Sequence, residues 1–215
     1  MSGAQAPSLA PAAVPAATPA GGGPLLRGDA LVAGYDRPVV GPVSFAVAAG
    51  EVVGMAGPNG CGKSTLLRAL VGAARLFGGR LERAPGLAVS IQNQQQPPLD
   101  GVPLTGRELL ALTGASPSGL PPWLEHRLDE RLDRLSGGQR QYLSLWASLG
   151  SDAALVILDE PTNNLDPAGV AHLAEALRTQ AAAGRAFLVV SHDADFLASA
   201  CQRRVAVAPR TEDGA

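Results

Sequence analysis

The chain has 215 residues, a formal net charge of -2, 46% hydrophobic residues and an aromatic share of only 4%. That apolar content suffices for one sizeable core. The near balance of 19 acidic and 17 basic residues excludes the basic field with which a protein neutralises nucleic-acid phosphates, so no nucleic-acid partner is expected. Two cysteines, Cys61 and Cys201, are too few for a disulfide framework. No stretch approaches the roughly 18 uninterrupted apolar residues of a membrane-spanning helix. These features predict a cytosolic chain that reaches a membrane only through partners. Of the 17 basic residues a single one is lysine, Lys63.

Residues 1–24 are rich in Pro, Ala and Gly and carry no charged side chain, the composition of a disordered extension. One domain is expected over 25–210, with a short tail over 211–215. From Leu25 to Val47, short apolar stretches cut by Gly34, Asp36, Pro38, Gly41 and Pro42 predict antiparallel strands and hairpins. Glu51 to Ala56 reads as a buried strand, and Leu66, Leu67, Leu70 and Val71 predict a helix over 63–74. Leu87 to Ile91 reads as a further strand. The segment between Gln92 and Leu135 combines Pro and Gly with short helical patterns at 105–112 and 123–128, a small helical insertion that extends to about residue 150. A helix (136–149), a strand (154–158), a helix (167–180), a strand (186–190), a helix after His192 and a last strand (204–208) follow. Alternating strands and helices predict an α/β fold, a mostly parallel sheet covered on both faces.

Gly57-Pro58-Asn59-Gly60-Cys61-Gly62-Lys63-Ser64, followed by Thr65, fits G-x-x-x-x-G-K-[ST] between a predicted strand and a predicted helix. Such a loop turns backbone N–H groups and a helix N-terminus toward phosphates, with Lys63 reaching the β- and γ-phosphates and Ser64 ligating Mg²⁺. Downstream, the apolar run 155–158 ends in Asp159 and Glu160. The first carboxylate suits the Mg²⁺ shell, and the second suits a base for water facing the γ-phosphate. Ser136-Gly137-Gly138-Gln139 directly precedes a predicted helix, where backbone donors and a hydroxyl can bind an anion.

Taken in order, these motifs resemble those of ATP-binding cassette (ABC) ATPases over nearly all of residues 25–208. The resemblance implies a P-loop NTPase (RecA-like) core with an N-terminal antiparallel β subdomain and a small inserted helical subdomain. It implies ATP and Mg²⁺ as cofactors, with Tyr35 stacking on adenine and Gln92 joining the Mg²⁺ and water shell. It further implies that Asp166, in Asn164-Leu165-Asp166, contacts an opposite subunit and that His192 is the switch histidine at the γ-phosphate. The signature Ser136, Gly137, Gly138 and Gln139 would close over ATP held by a second copy, a homodimer or paired cassette. One departure stands out. Where the family continues its signature helix with arginine and an alanine-arginine-alanine stretch, Tyr142 and Trp146 stand instead.

A single cassette without a membrane span points to the ATPase subunit of a transporter whose polytopic permease subunits are separate chains. Such a subunit would be peripheral on the cytoplasmic face of the cell membrane, in a system with an extracytoplasmic solute-binding protein. Trp123 or Trp146 could line a groove for a membrane-subunit helix, although tryptophans at such spacing are more often core. The wording after Gln92 looks like that of zinc and manganese uptake ATPases, which implies import of a divalent metal. The alternative is a soluble cassette protein acting on the ribosome, which the wording of residues 160–166 and 191–197 also resembles.

Overall fold

In the computed structural model, residues 23–92 and 103–210 are described. The extension expected over 1–24 lies outside them apart from its last two positions. The polar run Asn93, Gln94, Gln95 and Gln96 and the tail 211–215 lie outside them as well.

Strands β1 (Leu26–Gly34) and β2 (Pro38–Val47) form the expected antiparallel pair. Strand β3 (Val52–Ala56) leads into helix α1 (Lys63–Leu70). That helix ends four residues earlier than its apolar spacing predicts, because the chain turns at Gly72 (φ 80°). It continues into strand β4 (Arg75–Arg83), which pairs with the far edge of β1. The resulting sheet has the order β2-β1-β4.

Strands β5 (Val89–Gln92), β6 (Leu155–Asp159), β7 (Ala186–Val190) and β8 (Arg203–Ala206) join β3 in an all-parallel sheet of order β5-β6-β7-β3-β8. Between β5 and β6 stand helices α2 (Gly106–Thr113) and α3 (Pro122–Glu125), a 3-10 turn (Leu132–Arg134) and helix α4 (Gly137–Leu149). Helices α5 (Pro167–Ala182) and α6 (Ala194–Ala200) complete the second half.

The parallel sheet divides two cores. Successive side chains of a strand point to opposite faces, so Val53, Met55, Leu155, Ile157, Leu188 and Val190 join α1 and the antiparallel sheet on one side. Val52, Val156, Leu158, Phe187 and Val189 pack against α4, α5 and α6 on the other. Strands buried on both faces read as continuous apolar runs, as β6 and β7 do. Their carboxyl ends lie in register, with Gln92 opposite Leu158, Asp159 opposite Val190, and Met55 opposite Val190. The loops that leave these strands therefore share one edge, where open α/β sheets bind ligands.

Arg185, at the start of β7, fastens the helical insertion to this sheet. Its guanidinium donates to the Ala153 carbonyl at 3.0 and 3.2 Å, to Gln180 Oε1 at 2.7 Å and to the Leu149 carbonyl at the end of α4. Arg185→Met leaves those carbonyls without their donor. We expect thermal unfolding about 5–10 °C lower, corresponding to roughly 2–3 kcal/mol; an unchanged midpoint in a calorimetric scan would show that the contacts carry no net stability.

Candidate active site

The loop after β3 is shaped by close approach. A Cβ at Gly57 would lie 2.2 Å from the Val207 carbonyl oxygen, and one at Gly62 (φ 95°) would lie 2.6 Å from Val40 Cβ. Gly62 is also the N-cap of α1 and supplies no side-chain cap, and the first turn carries no acidic residue. Helices α2, α4, α5 and α6 are capped by Thr105, Ser136, Asp166 and Asp193. The N-terminus of α1 thus keeps free the N–H groups that an anion can take. It opens into a cavity of about 390 Å³ whose lining includes Asn59, Gly60, Gly62, Lys63, Ser64, Thr65, Glu160 and His192.

Lys63 is only 6% exposed, and its Nζ donates to the carbonyls of Gly57 at 2.8 Å and Pro58 at 3.1 Å. It lies 3.9 Å from Glu160 Oε1. Glu160 sits in the left-handed region (φ 50°), directly after the end of β6. Its N–H donates to the Val190 carbonyl at 2.8 Å. Its Oε2 accepts from the His192 N–H at 3.3 Å and pairs with His192 Nδ1 at 2.8 Å. A strained backbone that turns a buried carboxylate onto a lysine and a histidine is the kind of outlier that marks a functional site.

Asp159 is equally buried. Desolvation raises its pKa and the neighbouring Glu160 charge adds to the rise, while a hydrogen bond from Ser64 and the charges of Arg68 and Lys63 oppose it. Its Oδ1 and both amide atoms of buried Gln92 find no hydrogen-bond partner among the described residues. Buried polar atoms without partners are costly. Ser64 Oγ, Asp159 Oδ1 and Gln92 Oε1 are all hard oxygen donors, the chemistry that suits Mg²⁺.

The remaining expected residues lie elsewhere. Ser136 and Gln139 form a capping box: Ser136 Oγ accepts from the Gln139 N–H at 3.2 Å, and Gln139 Oε1 accepts from the Ser136 N–H at 3.0 Å. Gln139 Oε1 also accepts from Arg127 Nη1 at 2.9 Å. Ser136, Gly138, Gln139 and Asp166 line a second cavity of about 320 Å³ together with Asn164 and Trp123, and Gly137 opens α4 beside them. Tyr35 is 45% exposed and lines neither cavity; its hydroxyl accepts from Arg68 Nη1 at 2.7 Å.

Cys61 turns its buried thiol toward Gly57 rather than the cavity. Trp146 is 6% exposed and donates from Nε1 to the Ser116 carbonyl at 2.9 Å, so it belongs to the core rather than to a docking groove. Two lining residues were not expected, Val39 and Asn163. Asn163 had a signal in its place between Glu160 and Asp166. Val39 had none, since its approach depends on its neighbour Val40 meeting Gly62.

Comparison with known proteins agrees with this geometry. Residues 40–163 match the ABC transporter family model. The chain is 40% identical over 173 residues to the zinc import ATP-binding protein ZnuC of Paracoccus denitrificans, covering 74% of this chain and 66% of that protein. It is 34% identical to the ZnuC protein of Marinobacter nauticus over 84% of this chain and 73% of the relative. Among solved structures, an ATP-binding subunit of an ABC transporter superposes with a TM-score of 0.71 at 27% identity, covering 88% of this chain and 90% of that one. The chain belongs to the ABC transporter family. Within it, the chain is the ATP-binding subunit, an ATPase with the P-loop NTPase fold of the cassette.

An acid whose folded pKa is raised contributes stability below its unfolded pKa and loses it as pH rises through the folded value. The buried Asp159 carboxyl is therefore expected to cost the nucleotide-free protein stability as the pH rises above the range of an ordinary aspartate. Asp159→Asn should raise the melting midpoint at pH 7 by about 2–4 °C, the size of roughly 1 kcal/mol in a chain of this length. The gain should fade as the pH approaches 4. A midpoint lowered at pH 7 would mean that Asp159 is satisfied without a cation.

Proposed function

We propose that this chain binds ATP and Mg²⁺ at the carboxyl edge of its parallel sheet and that its turnover drives solute import through separate permease subunits. The observation that carries this is the buried pair Lys63 and Glu160, with the exposed His192 held on the Glu160 carboxylate, beside an uncapped helix N-terminus. Tyr35 offers an exposed ring face to adenine, steadied by Arg68 at its hydroxyl.

Ser64, Asp159 and Gln92 would hold Mg²⁺, which supplies neutralisation of the β- and γ-phosphate charge. Lys63 exchanges the carbonyls of Gly57 and Pro58 for phosphate oxygens, and that movement frees Glu160 Oε1. Glu160 then orients the attacking water and takes its proton, while the His192 backbone N–H and Nδ1–H hold the second carboxylate oxygen; only the doubly protonated ring would also present an Nε2–H to the γ-phosphate. Loop amides and the α1 N-terminus stabilise the developing charge.

The signature residues Ser136 and Gly138 line a different cavity from Lys63 and Glu160. This supports a site completed by a second copy, whose Ser136 and Gly138 close over the γ-phosphate and whose Asp166 loop meets this chain. Zinc is the cargo named for the relatives, and import of zinc or a similar divalent metal is proposed on that basis. The partners are then permease subunits and an extracytoplasmic solute-binding protein, with this chain on the cytoplasmic face of the membrane. No described helix is long and apolar enough to cross a membrane. The ribosomal alternative gains no support from the relatives reported above.

Glu160→Gln tests the assignment. ATP binding should persist while hydrolysis falls about 10²–10⁴-fold, the contribution typical of a positioned base. Cells lacking the wild-type chain should regain labelled-zinc uptake from it and not from the variant. Turnover within a few-fold of wild type would remove Glu160 from its role.

A further inference from the structure

Both tryptophans and one of the two tyrosines of this aromatic-poor chain gather between α3, α4 and α5. Tyr142 and Trp146, four residues apart on α4 and so on one face, stack with centroids 6.4 Å apart. Trp123 of α3 meets Tyr142 edge-on at 5.3 Å. From α5, His172 lies 5.8 Å from the Tyr142 ring and 5.9 Å from Trp146.

The polar atoms of Tyr142, Trp146 and His172 are matched. The Tyr142 hydroxyl is hydrogen-bonded to His172 Nδ1, and the His172 ring also bonds to the Gly119 backbone. Burial holds the His172 imidazole below its usual range. A neutral ring that donates to the Gly119 carbonyl has Nδ1 left as an acceptor, so the fully buried Tyr142 hydroxyl donates. Nearer the N-termini, the first turn of α5 packs on the same tyrosine and the first turn of α4 packs on the loop before α5. A Cβ at Gly169 would lie 3.6 Å from Tyr142 Cδ2, and one at Gly138 would lie 2.6 Å from the Asn164 carbonyl oxygen.

We propose that Tyr142 and His172 are positioning residues that lock the Ser136–Gln139 turn against the Asn164–Asp166 loop. The two motifs then meet a second copy of this chain as one rigid surface. Neither residue lines the cavity of the phosphate loop or that of the signature. Their hydrogen bond fixes the rotation of α4 on α5, and the tryptophans exclude water from it. The departure from the family's alanine-arginine-alanine stretch thereby gains a function. The proposal rests on the two-copy reading above, and the test separates the two: inactive wild-type protein would count against that reading, whereas active wild-type protein with unaffected variants counts against the lock alone.

Tyr142→Phe keeps the ring packing and removes the hydroxyl. In the full-length chain, KM for ATP should stay within about twofold, because the phosphate loop is untouched, while kcat per folded molecule falls about ten- to hundredfold, as displaced catalytic elements do. In a Glu160→Gln background the same change should weaken the ATP-dependent dimer seen by size-exclusion chromatography. His172→Asn, which keeps an acceptor near the Nδ1 position, should retain most of kcat, and His172→Leu should not. An unchanged kcat in Tyr142→Phe, equal rates in the two His172 variants, or a fall that tracks only the loss of folded protein would overturn the proposal.

Discussion

The burial of one ammonium and two carboxylates at a single edge of an apolar sheet is the constraint around which the rest of the molecule is arranged. Charges taken from water are costly unless they are paired. Here the pairing is partial. Lys63 leans on two backbone carbonyls and lies 3.9 Å from Glu160, Glu160 is held by His192, and Asp159 keeps an oxygen without a partner among the described residues. A cluster left incomplete in this way is poised for a ligand of opposite and divided charge, which a nucleotide triphosphate with its cation supplies.

The architecture makes that edge possible. Alternate residues of β3, β6 and β7 fill two different cores, so both faces of the sheet are sealed and its strand ends become the place where polar groups converge. The antiparallel sheet presses Val40 against Gly62 and thereby sets the shape of the phosphate loop. On the opposite side, Arg185 fastens the helical insertion to the start of β7 and the aromatic cluster fastens it to α5. The single lysine among 17 basic residues stands where a compact ammonium fits between oxygens and a planar guanidinium would not.

Much of this was legible in the residue order. Apolar runs fixed the parallel strands, and the residue types after them identified the loop, the carboxylates and the histidine. Strand β4 escaped because Gly78 and Gly79 interrupt its alternation. Gly79 adopts φ 82° against the Asp29 and Ala30 carbonyls, a bulge that only the partner strand explains. Val39 was silent because its role comes from a neighbour's contact. Tyr142 and Trp146 were visible as a departure, but their meaning depends on His172, 30 positions from Tyr142. The cap that Ser136 forms with Gln139, and the bond from Arg127 to the same glutamine, emerged only with the structure.

The phosphate loop and the signature of one chain are proposed to belong to different sites, each completed by a second copy. Complementation tests this directly. Lys63→Ala and Ser136→Arg chains should each be nearly inactive in ATP hydrolysis when assayed alone. Mixed, they should regain a substantial fraction of wild-type turnover, because a mixed pair contains one site with an intact loop facing an intact signature. A mixture no more active than its components would contradict the claim.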